Sequence, residues 1–131
     1  MKDIPVPTHQ HTEFIDITGS VQRAVEEIGI KNGVCYIFTP HTTAAVTINE
    51  GADPDVTRDI KMELEKIAPW RDVDFRHSEG NSAAHIKSSL VGASETVFVE
   101  NGRLVLGTWQ SLYFCEFDGP RSRRIYVKVI G

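Results

Sequence analysis

Apolar residues at Val21, Ala24, Val25 and Ile28 recur at helical spacing, with Thr18 ahead of them as a cap and Gly29 behind them as a stop. The pattern predicts a helix over 19–28. Asp53-Pro54 reads as a capping residue followed by a first-turn proline, after which Val56, Ile60, Leu64 and Ile67 form one stripe. That combination predicts a second helix over 54–68. A third, shorter helix starts at Asn81 or Ser82 and ends near Gly92. Its spacing puts Ala83, Ile86 and Leu90 on a packing face and Asn81, His85, Ser88 and Ser89 on a free one. The other apolar segments are short and rich in strand formers. Residues 34–38 and 44–48 are separated by a proline-containing loop of hairpin length and are expected to pair. From Thr96 the pattern alternates, and Asn101-Gly102 reads as a two-residue turn between strands 97–100 and 103–106. Strand 108–117, with Trp109 expected in the core, and strand 124–130, with Ile125, Val127 and Val129 inward, finish the chain.

Six or seven strands and three helices, joined mostly by hairpin-length connections, predict an α+β fold built on a pair of antiparallel sheets. The 131 residues suffice for a single domain, 1–131, that buries about two thirds of its unfolded surface, and Pro and Gly are scattered with no linker. Residues 1–12 hold Pro5, Pro7 and two histidines with little apolar content, so they form either a loose arm or an edge segment. Cys35 and Cys115 lie in strand-like runs and read as reduced buried thiols in preference to a disulfide. A net charge of −4 argues against a nonspecific nucleic-acid binder, whose affinity comes from a basic surface. No apolar run approaches ~20 residues and no leader pattern is visible, so a membrane span is not expected and a cytoplasmic location is.

Candidate chemistry concentrates at residues 40–55, where a histidine, hydroxyls, an amide and carboxylates surround one short strand. His41 falls in the loop before that strand, His77 precedes the loop through Gly80, and His85 projects from the third helix. Imidazole suits acid–base work near neutral pH, and its neutral ring can ligate zinc or a similar ion. The separations of these three match no compact ligand signature such as H-E-x-x-H, so metal, acid–base and anion-binding roles stay open for all three. Asn49 and Glu50 end the strand and could face a substrate or a magnesium ion, whereas Asp53 and Asp55 are accounted for by the helix start. If the strand is regular, His41 and Glu50 stand about 20 Å apart or more, so they share a site only across an interface or a bend. Asn81 and the first-turn amides of the third helix can meet a phosphate, with Ser89 further along. Gln110 shares a strand face with Glu116 and Asp118. Arg121, Arg123 and Arg124 form the dense basic cluster, suited to phosphate or to those same carboxylates.

Four segments occur in one order: 40–55, Gly80-Asn81-Ser82-Ala83-Ala84-His85-Ile86-Lys87-Ser88-Ser89-Leu90, Gly107-Thr108-Trp109-Gln110, and Asp118-Gly119-Pro120-Arg121-Ser122-Arg123-Arg124. Together they resemble the secondary thiamine-phosphate synthase, or YjbQ, family nearly end to end. The resemblance implies a β-sandwich subunit assembled as a homotrimer. It also implies a metabolic enzyme for small phosphorylated compounds, which joins a pyrimidine pyrophosphate to a thiazole phosphate and releases pyrophosphate, a reaction in which magnesium would stabilise the leaving group. In this expectation His41, His77, His85 and Glu50 are catalytic, and Asn49, Asn81, Ser89, Gln110, Arg121 and Arg123 bind substrate. A divalent metal, zinc or magnesium, would sit on the three histidines. A noncatalytic metabolite- or metal-binding trimeric module is the alternative, and an interaction protein a further one.

Overall fold

Burial alternates residue by residue along β8 (Ser122–Ile130), which places Arg123, Ile125, Val127 and Val129 inward and leaves the residues between them facing out. In the computed structural model, which describes residues 1–131, this strand lies one in from the edge of a five-stranded antiparallel sheet. On one side of it lies the edge strand β1 (Lys2–Pro7) and on the other β3 (Gly33–Phe38), followed by β5 (Ser94–Glu100) and the short β6 (Arg103–Leu104). A second antiparallel sheet orders β2 (Glu13–Asp16), β7 (Gln110–Glu116) and β4 (Ala44–Glu50). Three helices complete the chain: α1 (Thr18–Ile28), α2 (Pro54–Ile67) and α3 (Ser82–Val91). The architecture is therefore the expected α+β antiparallel sandwich with three helices.

Two apolar clusters show how the layers hold. The main one joins Ile37, Val97, Ile125 and Val127 of the larger sheet to Val46, Leu112 and Phe114 of the smaller, with Val21, Ala24 and Val25 of α1. The other lies under α3 and contains Ala45, Ala84, Tyr113, Cys115 and Phe117. Successive residues of β7 thus point into different clusters, and the strand is buried on both faces. Cys35 and Cys115 are free and buried, and desolvation pushes the Cys35 thiol up to about 11. The first residues of the chain form an edge strand on β8.

Several sequence expectations are revised by tertiary partners. Strands β3 and β4 do not pair: β3 lies between β8 and β5, whereas β4 takes its ladder from β7, so residues 39–43 carry the chain from one sheet to the other. Thr18 does not cap α1 from outside. Its amide donates to Asp16 Oδ1 (2.9 Å), and its hydroxyl accepts from the Leu112 amide of β7 (2.8 Å). Helix α2 begins as expected, with Asp53 Oδ1 accepting from Asp55 N (2.9 Å), yet none of its residues is buried. It is anchored by the partly buried Leu64, which packs against the cluster under α3, and by Lys87, buried in α3, which donates to Glu65 Oε1 (2.6 Å). On α3 the buried face is rotated from the expected one: Ala83 is buried and Ser89 exposed as expected, but Asn81 and Ser88 are buried while Ile86 and Leu90 are exposed. Trp109, expected in the core, is 65% exposed, since it lies in the turn closed by Gln110 N donating to the Gly107 carbonyl and β7 starts one residue later. The Asn101-Gly102 turn is as expected, with both residues at positive φ (52° and 77°).

Phe114 has no exposed surface, so Phe114→Ala is expected to lower the unfolding free energy by about 3–5 kcal/mol in urea titration. Trp109→Ala is expected to change it by under ~0.5 kcal/mol; comparable losses would contradict the burial assignment.

Candidate functional site

Residues 39–43, which bridge the sheets, are fixed from several directions. The Thr39 amide donates to the Ala93 carbonyl (2.9 Å), Ser88 Oγ donates to the Thr42 carbonyl (2.6 Å), and the Phe117 amide donates to the Thr43 carbonyl (3.2 Å). Ser88 therefore ties α3 to this loop, which explains why this polar residue is buried. Arg123 of β8 donates through its guanidinium to Thr43 Oγ1 (2.8 Å) and grips Glu116 of β7 through Nε (2.8 Å) and a second, shorter bond. The Thr8 hydroxyl donates to Glu116 Oε1 (2.7 Å). Burial alone raises the Glu116 carboxyl, but the Arg123, Thr8 and Asp118 bonds and the Arg123 charge outweigh it and hold the group below the usual carboxylate range.

Above this pair lies an open hollow of about 400 Å³ with no hydrophobic residue in its lining. It brings together His41, His77, His85, Asn81, Arg121 and Arg123, which come from the bridging loop, the segment before α3, α3 itself and the start of β8. The His77 and His85 rings stand 5.4 Å apart, edge to face. His41 Nε2 accepts from the Arg124 backbone N–H at 3.0 Å. Burial and the Arg123 and Arg124 charges outweigh Glu116 and push the His41 ring below its ordinary value. Ser89 lines an adjoining hollow that shares His41 and His85.

Asn81 does not cap α3 with its side chain. It is 7% exposed and donates through Nδ2 to Asp118 Oδ2 (2.8 Å), while its own Oδ1 is buried without a partner. Arg121 binds the same Asp118 through the carbonyl (2.8 Å) and carboxylate (2.9 Å), so the aspartate in the wall is neutralised. Sequence reasoning missed His11, whose ring stacks on Trp70 at 3.6 Å and whose Nε2 is buried without a hydrogen bond, 3.8 Å from Asp118 Oδ1. Nothing around residue 11 in the sequence signals this, because both contacts come from segments remote along the chain.

Three expected residues lie elsewhere. Asn49, Glu50 and Gln110 sit at the opposite end of the β4–β7 ladder, where Glu50 faces Gln110 and Asn49 faces Ser111. Each has local work: Asn49 Oδ1 accepts from Glu50 N, Glu50 Oε2 from Asp53 N, and Gln110 Oε1 from Gly107 N. Seven extended residues, about 23 Å, separate Glu50 from the loop that holds His41. Within the single chain no three His, Cys, Asp or Glu side chains are grouped as metal ligands.

The family described as UPF0047 protein YjbQ-like matches residues 2–131. The chain belongs to the YjbQ family. It is 53% identical to the UPF0047 protein YugU of Bacillus subtilis (strain 168) over 131 residues, which cover all of this chain and 99% of that one. A UPF0047 protein of Methanocaldococcus jannaschii is 50% identical over 126 residues, 96% of this chain and 91% of the relative. Among solved structures, a YjbQ/UPF0047 protein from Clostridium acetobutylicum superposes with a TM-score of 0.96 at 53% identity, covering 99% and 100% of the two chains. A YbjQ-like protein of unknown function from Sulfolobus solfataricus gives 0.94 at 38% identity, covering 99% and 95%. The shared framework extends over the whole YjbQ chain, including the segments that carry the hollow.

Removing one partner of the buried pair strands the other charge, so Glu116→Ala or Arg123→Ala is expected to cost about 3–5 kcal/mol of stability. Because the folded carboxyl titrates below 4.5, the contribution from Glu116 is complete above that value and is lost as pH falls through the lower folded pKa. Denaturation midpoints followed from pH 6 to 2 should show wild type losing more stability than Glu116→Gln; parallel curves would contradict the assignment.

Proposed function

We propose that this YjbQ chain is a metabolic enzyme acting on small phosphorylated compounds in the histidine-lined hollow. The observation that carries this reading is the convergence of His41, His77 and His85 with Asn81 and Arg121 around one polar, solvent-open space. Imidazoles near neutral pH supply proton transfer, and guanidinium and amide donors suit phosphate oxygens. Family resemblance suggests the reaction: joining a pyrimidine pyrophosphate to a thiazole phosphate with release of pyrophosphate. In this scheme His77 and His85 exchange protons with the substrates, while Asn81 and Arg121 hold phosphate; Ser89 and Arg123 border the space. Any magnesium would arrive on the pyrophosphate, whose oxygens are its usual ligands. A cytoplasmic setting belongs to the same proposal and suits two free cysteines.

One observation favours the alternative, a noncatalytic metabolite-binding module: each arginine of the basic cluster already has a carboxylate partner, Asp118, Glu116 or Asp3. Turnover separates the two. With the paired pyrimidine and thiazole substrates and magnesium, His77→Ala and His85→Ala are each expected to lower kcat/KM by roughly 10²–10⁴ while remaining folded. Phosphate-compound binding without turnover in the wild type would favour the module.

Assembly as a homotrimer is the companion proposal. Tyr36, Phe38, Phe98 and Ile130 are exposed on one face of the larger sheet, where Val34 sits opposite both Phe98 and Ile130. Such a face fits a subunit contact. Phe98→Glu is expected to shift the mass measured by light scattering from trimer to monomer, and a monomeric wild type would reject the assembly.

A further inference from the structure

The two ring nitrogens of His41 face different demands. Nε2 lies 3.0 Å from the Arg124 backbone nitrogen. A backbone N–H only donates, so Nε2 must present its lone pair, and the neutral ring must carry its proton on Nδ1. The amide has reason to use an imidazole. On one side the β3–β8 ladder stops at Phe38 opposite Tyr126, and on the other Arg124 lies opposite Pro5 of β1. The ring therefore occupies the place where the strand ladder ends and satisfies a donor that would otherwise lack a protein partner. Nδ1 has no protein partner and is not among the buried unsatisfied atoms, so it is open to solvent. The loop beneath is held by Ala93, Ser88, Phe117 and Arg123, which fixes the ring's base.

We propose that His41 serves the hollow as a fixed hydrogen-bond donor, offering Nδ1–H to a substrate phosphate oxygen, and that the Arg124 amide is the group that positions it. The inference rests on the reading of the hollow as a phosphate site. It removes two other roles. A general base at Nδ1 would need a lone pair that this tautomer lacks, and Nε2 is occupied. A metal on Nδ1 would require an imidazolate. The lowered proton affinity of the ring agrees with a group that stays neutral. Proton transfer then falls to His77 and His85, whose rings adjoin.

Two substitutions split the nitrogens. The amide nitrogen of asparagine can occupy the Nδ1 position but cannot reach Arg124, whereas the glutamine carbonyl can reach the Arg124 amide and offers nothing at Nδ1. His41→Asn is expected to bind inorganic phosphate and pyrophosphate within about threefold of wild type, with a Tm lower by roughly 4 °C. His41→Gln is expected to keep its Tm and bind roughly tenfold more weakly. Long-range ¹H–¹⁵N correlation spectra of the histidine-labelled protein at pH 7 should show a protonated Nδ1 and an unprotonated Nε2, assigned by the signals lost in His41→Gln. A protonated Nε2, a doubly protonated ring, or unchanged phosphate affinity in His41→Gln overturns the inference. The expected tautomer in a wild type that binds no phosphate overturns the phosphate reading and the donor role with it. Phosphate binding with the wrong tautomer overturns the inference alone.

Discussion

The buried Arg123–Glu116 pair is the contact on which the site end of the molecule depends. Arg123 belongs to the larger sheet and Glu116 to the smaller, so the pair joins the two layers with charge where the main cluster joins them with apolar packing. Two charges withdrawn from water are tolerable only when their remaining hydrogen-bonding capacity is filled. Thr8 and the Asp118 amide complete the carboxylate, and Thr43 takes part of the guanidinium. Consequently the N-terminal segment, the bridging loop and the turn after β7 are all brought to one point. The hollow is the surface above that point.

Tight packing at this turn leaves no room for a side chain at Gly119, where an added methyl would meet the Gln10 carbonyl and the Glu116 carboxylate. The short return from β7 to β8 keeps Asp118 and Arg121 beside Asn81 of α3. The chemistry-bearing residues are thus held by a scaffold whose own polar groups are nearly all matched. The exceptions, Asn81 Oδ1 and His11 Nε2, both lie around Asp118.

Much of this was legible in the chain because it is local. The Asp53-Pro54 start of α2, the Gly29 stop of α1, the Asn101-Gly102 turn and the alternation through Ile125, Val127 and Val129 are each decided by a few neighbouring residues. The convergence of His41, His77 and His85 was anticipated from motif positions, with the resemblance to YjbQ supporting it. What failed was set by distant partners. Ser88 is buried because the Thr42 carbonyl accepts its hydrogen bond, and Trp109 is exposed because β7 begins one residue too late to include it. The separation of Glu50 from His41 could be foreseen from strand length; the engagement of Arg123 with Glu116 was only one of two options until both sheets were placed.

Lys87 gives α2 an influence that its exposed surface does not suggest. The side chain is 3% exposed and its ammonium pairs with Glu65, a residue of a helix that has no buried residue and meets the core only through the partly buried Leu64. If α2 frays away, the amine loses its counter-charge inside α3, two residues from His85, and that helix must hydrate or shift to accommodate it. Transient opening of a peripheral helix is therefore coupled energetically to the wall of the hollow. Crowding or ligands that merely hold α2 down would thereby tighten the geometry around the imidazoles without touching them.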